Sequence, residues 1–147
     1  MRKILQAALL ALLGAWAVNC IADDLTVTVG ELKAKSAEKL SKADLDALIP
    51  GASYRGETVR SYRSWAFEKD GTLVASGQRK PGQGTTSNAM GRGSWQVSDG
   101  GRLCVDIDWP RDKEKWCRFV YHLGDYYVGV KDDKDDAIAG DKFTLKK

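Results

Sequence analysis

The sequence predicts an all-β domain preceded by one short helix, and three observations carry that expectation. From Gly51 onward the apolar period changes from helical to alternating. Turn signals then recur roughly every ten residues, between short aromatic and β-branched runs. The chain of 147 residues, less a leader, is one domain's worth and large enough for a single core. The expected architecture is an antiparallel meander of about eight strands. It would close as a small lipocalin-like barrel or stack as a sandwich, and closure is the economical choice because it removes sheet edges.

The first element is a leader. MRKILQAALLALLGAWAVNCIADD places Arg2 and Lys3 before the apolar run Ile4 to Val18, the layout of a secretory signal. A membrane-spanning helix needs about 20 apolar residues, and Asn19, Asp23 and Asp24 cut this one short. Cleavage is expected after Ala22, giving a signal at 1–22; Ala15-Trp16-Ala17 is the alternative site. The other alternative is a lipoprotein anchor at Cys20, but Ala17 and Asn19 stand where such a signal wants Leu and a small residue. The expected location is therefore periplasmic or secreted, in a Gram-negative envelope. The full chain carries +3, and removing Arg2 and Lys3 leaves 3 − 2 = +1. That balance lacks the clustered basic face of a nucleic-acid binder.

Residues 23–40 show a weak pattern and are expected as a loosely ordered N-terminal arm, with 41–147 as the single β-domain. In SKADLDALIPG, Ser41 is a plausible N-cap with Asp44 at the third helical position, and Pro50-Gly51 ends the helix. YRGETVR leads into YRSWAFEKDGTLVAS, where Trp65 and Phe67 share a face and Lys69-Asp70-Gly71 turns the chain. GSWQVSDGGRLCVDIDW turns at Asp99-Gly100-Gly101, KWCRFVYHLGDYYVGV at Gly124-Asp125, and AIAGDKFTLKK closes the chain.

With Cys20 gone, Cys104 and Cys117 form an even pair in an exported protein, which reads as one disulfide. A turn at Pro110-Arg111 pairs residues whose numbers sum to 221. Cys104 then faces Cys117, Asp106 faces Lys115 and Val105 faces Trp116. A metal site using Cys104, Cys117, Asp106 and His122 lacks a ligand knuckle, and a redox pair would want C-x-x-C. The same register sets Trp116, Arg118 and Val120 against Leu103, Val105 and Ile107. Arg118 and His122 then point to the aliphatic side, where a barrel ligand would meet them. The simpler expectation is that a bulge resets the register or that both residues reach solvent at a strand end.

The stretch 76–95, SGQRKPGQGTTSNAMGRGSW, lies in an acid-free segment from Gly71 to Ser98 that holds Arg79, Lys80 and Arg92. A loop that long is usually functional or disordered. Its Gly-rich backbone and cations could receive an anion, although a flexible hairpin tip is the simpler expectation. KDDKDDAIAGD, 131–141, lacks the calcium-loop glycine and reads as a solvated turn. One histidine with no nucleophile motif makes no catalytic triad. No catalytic residue, metal or cofactor is assigned.

With the strands placed, the spacing of Leu48-Ile49-Pro50-Gly51, Phe67, Asp70-Gly71-Thr72, Gly93, Trp95, Val97, Leu103-Cys104 and Cys117 resembles a family of small exported bacterial proteins. That family is known only as a domain of unknown function, and the resemblance covers about residues 40 to 130. It implies no activity. The expected function is a non-enzymatic binding or envelope-accessory domain for an unknown small ligand or envelope protein, with Arg79, Lys80, Arg92, Arg118 and His122 as candidate ligand-binding residues. The alternative is an inhibitor-like protein presenting the 76–95 loop to a secreted enzyme, and a hydrolase is a third class without a motif behind it.

Overall fold

A computed structural model describes residues 27–83 and 88–147. The expected leader, its expected cleavage sites and Cys20 lie outside the described residues. Apart from the two-residue β1 (Glu38–Lys39), eight antiparallel strands close into a barrel: β2 (Ser53–Glu57), β3 (Ser61–Phe67), β4 (Thr72–Arg79), β5 (Asn88–Val97), β6 (Leu103–Trp109), β7 (Asp112–Leu123), β8 (Tyr126–Val130) and β9 (Ala139–Lys146). They follow one another around the wall, and β9 returns to pair with β2. The sandwich alternative is therefore not the solution adopted.

Local chemistry sets the turns where the sequence indicates them. Asp70 accepts hydrogen bonds from the Thr72 amide and hydroxyl, and Gly71 takes φ +87° to complete the β3–β4 turn. Gly101 and Gly124, with φ +69° and +59°, do the same after β5 and β7. The β6–β7 hairpin has the register centred on Pro110-Arg111, from Leu103 opposite Arg118 to Trp109 opposite Asp112. Cys104 and Cys117 are joined, on the outer face of the wall. The expected bulge is absent from this hairpin; the irregularity falls instead between Val128 and Val130 in the β8–β9 pair.

Two apolar clusters form the core, one inside the barrel beneath α2 (Lys42–Leu48) and one outside its wall beneath α1 (Val29–Ala34). The larger fills the barrel with Tyr54, Trp65, Phe67, Leu73, Leu103, Val105, Ile107 and Phe143, closed at one end by Leu45 of α2 and by Ile49 just after it. Ser41 caps α2 as a capping box with Asp44. The smaller cluster explains why β7 is apolar on both faces. Phe119 and Tyr121 point outward and are covered by Val29 and Leu32 of α1.

Two expectations change here. From residue 27 on, the segment expected as a loose arm is an ordered strap. Thr28 caps α1 with Glu31, and β1 pairs with β7 at Tyr121 and His122. The acidic 131–136 stretch is not merely a solvated turn, because Asp135 binds Lys33 at 2.7 Å and Asp133 binds Lys39 at 2.6 Å. The two segments hold each other: the strap supplies the lysines and the turn supplies the carboxylates.

Candidate functional site

The 76–95 stretch is mostly strand. β4 runs to Arg79 and β5 starts at Asn88, so the connection spans only 80–87. Its strand glycines Gly77, Gly91 and Gly93 serve packing. The Trp109 ring lies over Gly77 and Gly91, and a Cβ at Gly91 would sit 2.9 Å from Trp109 Cε3 and 2.8 Å from Ile107 Cγ2. Glycine at Gly77 and Gly91 lets the indole lie flat along the inner wall over β5 and β4.

At the end opposite α2 the barrel opens into a cavity of about 710 Å³. Gly77, Ala89, Trp109 and Trp116 belong to its apolar lining, and its charged lining comprises Arg63, Arg79, Arg111, Lys113 and Lys115 with Asp112 and Glu114. Lys113 and Lys115 pair with Asp108 and Asp106, each at 2.9 Å. Arg79 and Arg111 have no carboxylate partner among the described residues.

The floor of this cavity is built around Glu114. Arg63, across the lumen on β3, places Nη1 at 2.7 and 2.9 Å from its two carboxylate oxygens. The Trp109 indole N–H donates to Oε2 at 3.1 Å and the Trp116 indole N–H to Oε1 at 2.8 Å. A half-buried carboxylate thus receives one guanidinium and two indoles, which neutralise its charge and satisfy both oxygens.

Beyond Glu114 a second, smaller chamber of about 60 Å³ continues into the barrel, sharing Arg63, Glu114 and Trp116 with the first. Arg118 lines it, with its guanidinium 5.2 Å from the Trp116 ring. Gly129 and Gly140 make room for that side chain: a Cβ at Gly140 would fall within 2.5 Å of Nη1. Asp141 lines the chamber from an exposed position, and no carboxylate pairs with Arg118 among the described residues. Tyr54 stacks on Trp65 at 4.2 Å and 13°. Burial pushes the Tyr54 phenol up to about 12; Arg63 and Arg118 act against that rise, and Asp141 and Glu114 add to it. The Trp65 indole N–H is buried without a hydrogen-bond partner among the described residues.

The five residues singled out from sequence therefore separate. Arg79 stands at the mouth and Arg118 in the inner chamber. Lys80 pairs with Glu57 at 3.2 Å and lies over the Tyr62 ring. Arg92 is exposed on the outer wall, in register with Asp108. His122 stacks on Tyr127 at 4.7 Å, away from both cavities. The luminal set that sequence reasoning misses is Arg63, Trp109 and Glu114. The available signal is parity: Arg63 shares a face with Trp65 and Phe67, and Glu114 shares one with Trp116 and Arg118. Among the described residues no group of three His, Cys, Asp or Glu side chains is placed to hold a metal. None of their helices is long and apolar enough to cross a membrane.

Fold and site together define a small closed β-barrel with a cation-rimmed, indole-lined opening. Residues 31–117 match the sequence pattern of the family described as "Protein of unknown function (DUF995)", and the chain belongs to that family. Comparison with curated proteins returns no match, and comparison with solved structures returns none either.

Proposed function

We propose that this chain is an exported binding protein that takes a small ligand with an apolar body and a negatively charged group into the open end of its barrel. The observation that carries this reading is the cavity of about 710 Å³ walled by Trp109 and Trp116 and rimmed by Arg79 and Arg111. An eight-stranded barrel encloses room for one small ligand, and pockets of several hundred Å³ with an apolar wall and few polar groups are the usual form of such sites. Export is supported by the Arg2-Lys3 leader pattern and by the Cys104–Cys117 bond, which suits an oxidising compartment. The inhibitor-like alternative loses most of its presented loop to β4 and β5.

The test is a titration with anilinonaphthalene sulfonate, an aromatic anion whose emission rises in an apolar site. One-to-one binding is expected, weakened about tenfold or more by Ala89→Trp, which fills the mouth, and by Arg79→Glu, which reverses its charge. Binding that ignores both substitutions would remove the opening from consideration. Retention of the protein in the cytoplasm on cell fractionation would count against export.

A further inference from the structure

The inner chamber has a chemistry of its own. Arg118, Trp65 and Tyr54 line it and carry hydrogen-bond donors, beside the carboxylates of Glu114 and Asp141. Trp65 is only 3% exposed and its N–H has no acceptor. A buried donor left that way is destabilising, and an acceptor arriving from outside would satisfy it. Arg118 is threaded between Gly129 and Gly140, two positions where a side chain would collide with it or press against it. The wall is therefore shaped to admit a guanidinium that has no carboxylate partner among the described residues. By contrast the charge of Arg63 is already paired with Glu114. What Arg118 and the Trp65 N–H lack among the described residues is a partner that accepts, and a bound oxyanion would serve both.

We infer that the inner chamber is an oxyanion site, in which the carboxylate, sulfonate or phosphate head of the ligand accepts from Arg118 and Trp65 while its apolar body lies between Trp109 and Trp116. This rests on the binding reading above and adds the ligand's orientation, head inward past Glu114 and body at the mouth. Arg63, Glu114 and Trp116 line both compartments, so the two adjoin at the Arg63–Glu114 pair and an elongated molecule would pass beside it.

The experiment compares two dyes of one ring system, anilinonaphthalene sulfonate and the neutral phenylnaphthylamine, on the intact chain. Arg118→Met keeps the aliphatic stem between the two glycines and removes the charge. It is expected to weaken the sulfonate by about tenfold or more and the neutral dye by less than about twofold. Trp65→Phe keeps the ring stack on Tyr54, removes the N–H, and is expected to weaken the sulfonate alone by about threefold. The Trp65 indole proton resonance, assigned through that variant, should move on adding the sulfonate and stay still on adding the neutral dye. If both dyes bind but Arg118→Met affects them equally or not at all, the oxyanion site is wrong and the mouth reading survives. If neither dye binds the wild-type chain, both fall. A titration series with acetate, sulfate and inorganic phosphate, each competing against the sulfonate dye, then identifies which head the chamber prefers; competition by none of them overturns the site. Should Arg118→Met fail to fold, the Trp65→Phe comparison and the indole resonance decide the matter.

Discussion

Glu114 offers the sharpest test of how the lumen is held. Replacing it with Met removes the acceptor of four contacts at once: two from Arg63 Nη1, one from Trp109 and one from Trp116. Breaking a fully buried ion pair by removing one partner costs about 3–5 kcal/mol. The side chains of Arg63 and Glu114 retain 29% and 19% exposure, so water screens part of that penalty. A loss of about 2–3 kcal/mol is the expected result. With an unfolding entropy of about 2.1 cal/mol/K per residue over about 120 ordered residues, the melting temperature should fall by roughly 10 °C. The assay is urea unfolding followed by tryptophan emission, run as a double-mutant cycle with Arg63→Met. The double variant should be more stable than the summed costs predict, by about 1–2 kcal/mol, because it strands no charge. Strictly additive costs, or a Glu114→Met variant as stable as wild type, would refute the claim that this pair organises the lumen.

Reducing the Cys104–Cys117 bond, 13 residues apart, should cost about 3 kcal/mol by releasing chain entropy to the unfolded state. A thermal melt unchanged by reductant, with free thiols confirmed by mass, would contradict this. Gly93→Ala should prevent folding or cost more than about 3 kcal/mol. Its Cβ would fall on the Asp106 carbonyl oxygen, a backbone atom that cannot swing aside. Recovery of soluble Gly93→Ala protein with a wild-type urea midpoint would show that this wall can yield. Tyr54 ionises near 12 in the fold against 10.0 in the unfolded chain. The native state therefore keeps a proton that the unfolded state loses, and stability is whole below pH 10.0 and drains away up to about 12. The shift amounts to about 3 kcal/mol. Tyr54→Phe should flatten that part of the urea-midpoint profile, and an unchanged slope would mean that Tyr54 is not its source.

Much of the wall is legible in the residues alone. Alternation places Trp65 with Phe67 and Leu103 with Val105 and Ile107, and one turn at Pro110-Arg111 pairs Cys104 with Cys117 and Asp106 with Lys115. These are local relations, set by a side-chain period of two and by a hairpin of fixed register. The strap is harder to read because the capping box of Thr28 and Glu31 is short, and its helix is stabilised by covering Phe119 and Tyr121 rather than by its own propensity. The segment 76–95 looks like a loop because its glycines resemble linker composition. The reason for Gly77 and Gly91, an indole lying along the inner wall, comes from another strand.

The β-meander, its turns, the hairpin register and the faces that each strand buries are properties of the amino-acid order. All of these follow from contacts between near neighbours along the chain. Closure decides the site. Arg63 and Glu114 are 51 residues apart, on strands that are not adjacent in the sheet. Parity places each of them on an inward face, but only the curvature that brings β9 back to β2 sets those faces across one lumen. The same closure leaves Arg118 without a carboxylate partner among the described residues and the Trp65 N–H without an acceptor.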